Sequence, residues 1–349
     1  MDVPMRIAGQ RQRRVTRADV ARAAGTSTAV VSYVLNDGPR PVAQATRRRV
    51  LEAVEAIGYR PDSIARALAS GATRTLGLVV PDIANPFFAA LAHALEDEAS
   101  RHGLVFLLGD AAEHRERQHE LIDSFVTRRV DGLVVVGVDD DLDLEPARQA
   151  GLPVVVLDRI LGDADASAVG IDNQAAAGAA TEHLLEHGRR RIALVTGPDW
   201  LPTAVARERG WRDALEAAGL EPDPSLVRRT GFNRSGGYEA GTDLFRLEHA
   251  PDAVFVASEQ QAVGLLRAAH EARTAVPDTV AVVAIDGTEA AEYCVPSLTT
   301  IAQPFDELAR RAIELVGQPA GTSRTAVCDF DLVLRSSCGC ESPQSRPRT

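Results

Sequence analysis

Seven short and almost continuously apolar runs recur beyond residue 75: LGLVV (76–80), VFLL (105–108), GLVVV (132–136), PVVVL (153–157), IALV (192–195), AVFV (253–256) and VAVVA (280–284). Helix-length amphipathic stretches such as FFAALAHALEDEASRHG and AAAGAATEHLLEHG separate most of them. A strand without polar alternation must be covered on both faces, so the pattern predicts parallel sheets sandwiched by helices. Seven such units exceed one comfortable sheet. The expectation is therefore an α/β body of two similar lobes spanning residues 75–339, with a cleft at the carboxyl ends of the strands, where ligands bind in such folds.

The segment before the body differs in kind. TRADVARAAGTSTAVVSYVLN (16–36) predicts two short helices joined by a turn at Gly25. Thr16 and Asp19 stand at capping-box spacing, and Val20, Ala21 and Ala24 give the first helix one apolar face. Ser27 is placed to cap the second, whose apolar face is Val30, Val31 and Val34. This helix-turn-helix geometry lets the second helix enter a major groove, although an ordinary helical hairpin has the same pattern. A loop at 37–41 leads to a longer helix, ATRRRVLEAVEAIGYRP, with Val50, Leu51, Val54 and Ile57 on its apolar face and a stop at Gly58 and Pro61. Residues 14–60 thus read as a three-helix DNA-binding domain, 61–74 as a hinge helix and linker, and 340–349 as a disordered tail.

Charge separates the same two parts. The chain carries −11 overall, yet residues 1–75 hold thirteen arginines against six acids, a net of +7, which leaves −18 on the rest. A basic module on an acidic body suits phosphate contact, with the body kept off the duplex. All basic residues are arginines, and the chain has no lysine.

Other readings find less support. No run reaches the length of a membrane span, and the N-terminus reads as lacking the apolar core of a signal peptide, which argues for the cytoplasm and against an exported sugar-binding protein. No GxGxxG follows a strand, which argues against a nicotinamide-dependent enzyme and any cofactor. The four cysteines (Cys294, Cys328, Cys338, Cys340) lie late and read as reduced thiols without metal spacing. His183 and His187 fit an HxxEH zinc pattern, but no third ligand is apparent nearby, so no metal site is expected. The acidic run at 139–143 reads as a solvated loop, without the glycine and distal glutamate of a calcium loop.

In combination, the helix-turn-helix, GYRPDSIARAL, TLGLVVPDIANPFF, ARERGW and VAVVAIDGTE…VPSLTTIAQP, in this order, strongly resemble the LacI/GalR family of bacterial transcriptional regulators. The resemblance runs from Val15 to about Gly339 and implies an allosteric repressor. Such a chain binds a palindromic operator as a homodimer and senses a small sugar-like effector between the lobes of a periplasmic-binding-protein-like body. It further implies that Thr28, Ala29 and Tyr33 occupy base-reading positions, that Thr16, Ser27, Asn36 and Thr46 face phosphates, and that Leu68 wedges into the minor groove at the operator centre. Ala29 is too short to hydrogen-bond a base and reaches only a thymine methyl. In the body, Phe87, Phe88, Arg207, Phe232, Asp286 and Gln303 match effector positions, and Ser258-Glu259 stands where relatives often carry Asn-Asp.

Overall fold

The computed structural model describes residues 15–35, 40–60, 67, 71–139, 142–158 and 166–340. Asn36, Leu68, most of the expected hinge and residues 341–349 lie outside them. The chain divides into two compact units, Met1–Thr73 and Arg74–Thr349.

The first unit holds α1 (Arg17–Ala23), α2 (Thr28–Leu35) and α3 (Gln44–Ala56). The capping box forms in full: the Asp19 N–H donates to Thr16 Oγ1 at 3.3 Å, and the Thr16 N–H donates to Asp19 Oδ2 at 2.9 Å. These bonds satisfy donors that the first turn leaves without partners, and they hold the Asp19 carboxyl down to about 2. Gly25, at φ 61°, makes the turn in a conformation that side chains disfavour. The Ser27 hydroxyl accepts from the Val30 N–H, as a cap should. Val20, Val31, Val34, Val50 and Tyr59 close a small core. One expectation fails here. Leu51 is 46% exposed, and Ala53 takes the inner position on α3 instead.

The second unit contains two six-stranded sheets. The first has the order β11-β5-β4-β3-β1-β2, all parallel, from β1 (Thr75–Val80), β2 (Val105–Asp110), β3 (Gly132–Val135), β4 (Val154–Leu157), β5 (Ser167–Ile171) and β11 (Thr325–Cys328). The second has the order β12-β10-β9-β8-β6-β7, from β6 (Ile192–Thr196), β7 (Val227–Arg229), β8 (Ala253–Val256), β9 (Ala281–Asp286), β10 (Thr299–Ala302) and β12 (Asp331–Val333). Only β12 runs antiparallel to its neighbour.

The central strands feed two cores, one per sheet face. Leu76, Leu78 and Val80 pack with α4 (Pro86–Arg101) and α11 (Phe305–Val316), while Val79 turns to α5 (Arg115–Thr127) and α6 (Glu145–Gln149). In the second lobe, Leu194, Phe255 and Val283 meet α7 (Asn173–Glu186) and α8 (Pro202–Ala217). Val195, Val254 and Val282 meet α9 (Arg234–Phe245) and α10 (Glu259–Glu271). The chain passes between lobes three times: after β5, between β10 and α11, and between β11 and β12.

All seven apolar runs form strands, but β2 is not the buried strand its sequence suggests. It lies at a sheet edge and exposes Val105, Leu107 and Leu108. The acidic run is not simply solvated either, since Asp139 is buried and takes the Arg115 guanidinium at 2.7 Å. Cys340, assigned from sequence to the tail, is held against His187.

Candidate functional site

Two sites were expected, one in each unit. In the first unit Ser27, Thr28 and Ala29 are exposed at the start of α2, and Tyr33, one turn beyond Ala29, is half-buried. Thr46 is half-buried in the first turn of α3. The hydroxyls of Thr16 and Ser27 are already engaged in caps, so they fix the ends of α1 and α2 as well as lying at the surface. Arg47, Arg48 and Arg49 are exposed on α3 and supply positive charge that single-residue matching did not single out.

In the second unit a pocket forms where strands of both lobes end. Phe87, Phe88, Arg207, Phe232, Ser258 and Asp286 line it, joined by Asn85, Glu113, Asp158 and Thr203. Asn85 caps α4 by accepting from the Phe87 N–H at 3.0 Å, and Pro86 opens the helix, which aims both phenylalanines inward. Their rings meet edge-on at 5.2 Å, and Phe305 flanks Phe87 at 5.5 Å. Opposite them, Arg207 rises from α8. Its Nε donates to Asn173 Oδ1 at 2.8 Å, and Nη1 donates to the Ala257 carbonyl. The guanidinium carbon sits 5.8 Å from the centroid of the Phe232 ring, within cation–π range. Gly197 makes room for that ring, because a Cβ there would stand 2.4 Å from a ring atom.

Asp286 ends β9 with φ 147° and is buried beside Glu259. The Glu259 N–H donates to Asp286 Oδ2 at 3.0 Å. Burial pushes the Asp286 carboxyl well above the usual range, and the Glu259 charge adds to this while Arg207 opposes it. Burial likewise raises Glu259, against hydrogen bonds from Thr288, Gly287 and Thr300. The Ser258 hydroxyl accepts from the Gln261 N–H at 3.3 Å and caps α10. A cation, two aromatic faces and buried carboxyls thus converge on one space, the set that a polyhydroxylated ligand needs for bidentate hydrogen bonds and stacking.

Gln303 departs from its expected place. It does not line the pocket but lies buried at the crossover between β10 and α11, and neither atom of its side-chain amide has a hydrogen-bond partner. Asn85, Glu113, Asp158 and Thr203 escaped the sequence reading. Glu113 and Asp158 sit in loops after strands at φ 61° and 67°, a placement that periodicity does not reveal.

Comparison with known proteins gives the family. The profile of the lacI family of bacterial regulatory proteins matches residues 16–62, and that of the periplasmic binding protein-like domain matches residues 181–338. The transcriptional repressor CytR of Escherichia coli K12 is 34% identical over 336 residues, covering 95% of this chain and 98% of its own. The chain belongs to the lacI family of bacterial regulatory proteins. It is a helix-turn-helix regulator of transcription, not an enzyme. Among solved structures, the regulator CelR bound to cellobiose is 31% identical with a TM-score of 0.69, covering 93% of this chain and all of its own. The lac repressor dimer bound to operator and the anti-inducer ONPF is 25% identical with a TM-score of 0.80, covering 93% and 99%. No helix among the described residues is long and apolar enough to cross a membrane.

Proposed function

We propose that this lacI-family regulator is a cytoplasmic repressor that binds a palindromic operator as a homodimer and is controlled by a sugar-class effector held in the pocket between its lobes. One observation carries the effector half: Arg207 and Asp286, far apart in sequence, face one pocket with Phe88 and Phe232. The cellobiose complex of CelR supports a sugar-class ligand. The basic first unit, with its exposed Ser27, Thr28 and Ala29, supports the DNA half. Residues 14–60 act as the reading domain, 61–74 as the hinge carrying Leu68, and 75–339 as the sensing and dimerising body. Thr16, Asn36 and Thr46 contact phosphates, with Tyr33 joining Thr28 and Ala29 at the bases. Phe87 and Ser258 complete the effector set, from which Gln303, buried outside the pocket, is left out.

Exposed apolar residues suit self-association. Val105, Leu107 and Leu108 lie on the edge strand β2, and Val295 and Tyr293, 92% and 73% exposed, precede β10. An open edge bearing apolar side chains is a surface that a partner covers. Ligand binding that stabilises one arrangement of the lobes shifts the dimer toward or away from the operator-bound state.

A thermal-shift screen of the full chain against mono- and disaccharides, sugar phosphates and nucleosides tests the effector reading. A cleft ligand raises the melting temperature by mass action, and the rise is expected in wild type and absent in Asp286→Asn. A hit that stabilises both equally binds elsewhere and contradicts the assignment.

A further inference from the structure

The HxxEH stretch of α7 and the Cys-Gly-Cys near residue 340 looked unrelated in sequence, separated by about 150 positions. The fold brings them together, with Cys338 beside His183 and Cys340 beside His187. The two imidazoles sit four residues apart on one helical face, with ring centroids 4.7 Å apart. From the other side arrives the turn Ser336–Cys338, followed by Gly339 at φ 98°, a conformation that carries both thiols to the histidines. His183 Nε2 lies 3.2 Å from Cys338 Sγ and 3.6 Å from Cys340 Sγ, and His187 Nε2 lies 3.2 Å from Cys340 Sγ. All four ligand atoms fall within 4.8 Å of one another.

We infer that His183, His187, Cys338 and Cys340 form a closed, four-ligand site for a zinc-type divalent ion that clasps the end of the body onto α7. Tetrahedral zinc with bonds of about 2.0–2.1 Å to nitrogen and about 2.3 Å to sulfur places nitrogen and sulfur about 3.5 Å apart, close to the separations seen. Two thiolates with two imidazoles at tetrahedral spacing select zinc over the hard, oxygen-seeking ions. Four protein ligands leave no position for water, so the site is structural rather than catalytic. His183 and Cys338 are buried while His187 is exposed and Cys340 partly so, which leaves an entry path from solvent. A neighbour is in place as well: Thr299 Oγ1 lies 3.0 Å from Cys338 Sγ and orients it. Thiols in this pocket are unlike the remaining cysteines, Cys294 and Cys328, which stand apart from any histidine–cysteine cluster found among the described residues.

The clasp has a mechanical consequence. Cys338 packs into the core that α7 and α8 share with Leu194 and Phe255, and the first residue of α7, Asn173, accepts from Arg207 in the pocket. Metal at one end of α7 therefore fixes the helix whose other end holds the effector-facing arginine.

The test uses the untagged full chain, stripped of metal by chelator and titrated with zinc or cobalt. One ion per chain is expected, with a rise in melting temperature of roughly 5 °C or more. Cobalt is expected to give the visible bands and thiolate charge-transfer absorption of a four-coordinate site. Cys340→Ser and His187→Ala, both at the more exposed ligands, should lose at least about tenfold in zinc affinity while keeping wild-type circular dichroism. Cys294→Ser should bind as wild type does. Substoichiometric metal, cobalt without thiolate absorption, or unchanged affinity in Cys340→Ser would each overturn the site.

Discussion

Asp286 shows how a residue can be costly to the fold and still be kept. Its carboxyl is buried beside Glu259, with Arg207 as the opposing charge. An acid whose folded pKa is raised destabilises the native state increasingly as pH climbs from the unfolded value of 3.8 toward the folded one, and the penalty vanishes once pH falls below 3.8. Asp286→Asn keeps an acceptor for the Glu259 N–H but removes the charge. The variant is expected to melt above wild type at pH 7, with the gain shrinking below pH 4, and to lose its response to the cleft ligand. Melting curves across pH check the first part, and a variant less stable than wild type at pH 7 contradicts it. Arg207 offers no such clean test. Because it holds Asn173 and the Ala257 carbonyl in the interior, its loss lowers stability as well as ligand contact. That double role was not visible in the ARERGW motif, where the arginine carries no sign of its partners.

Among the elements, legibility followed continuous apolar composition. Continuous apolar runs marked β1, β3, β4, β6, β8 and β9 because central parallel strands are covered on both faces. The strands β5 and β10 are buried too, but their serine, glycine and threonine residues break the apolar run, and β7, β11 and β12 lie at sheet edges with mixed composition. β2 had the signal and sits at an edge, which makes its apolar residues available to a partner. Long-range convergence was the other blind spot: the loops bearing Glu113 and Asp158 and the cluster around His187 depend on tertiary placement. Local chemistry read well by contrast, as the capping box of α1 shows. Thr16→Ala is expected to cost the reading unit about 1 kcal/mol. Asp19, held at about 2, contributes stability that is present above 3.8 and lost as pH falls toward 2, so helix content should drop across that window in wild type and less so in Thr16→Ala. At the pocket, Gly197→Ala should displace the Phe232 ring and weaken ligand binding by tenfold or more in calorimetric titration, with the melting temperature nearly unchanged. Undiminished affinity would remove Phe232 from the site.

Across the whole molecule, the sequence separates a basic reading unit from an acidic sensing body, and the two units of the fold follow that division. In the proposed function, dimerisation links them to a palindrome. Placing a charge on the exposed β2 edge, as in Leu108→Arg, should shift sedimentation toward monomer and weaken operator binding more than tenfold, since a monomer engages one half-site. An intact dimer in that variant would move the interface elsewhere. The central claim is that the pocket governs DNA binding, and fluorescence anisotropy tests it most directly. The full chain is titrated into a palindromic duplex selected by its own binding, at fixed salt, with and without the ligand found by thermal shift. A coupled regulator changes its operator Kd by roughly 5–150-fold on ligand addition, and Asp286→Asn shows no change. An operator Kd that stays the same with saturating ligand in the wild-type chain would contradict the account.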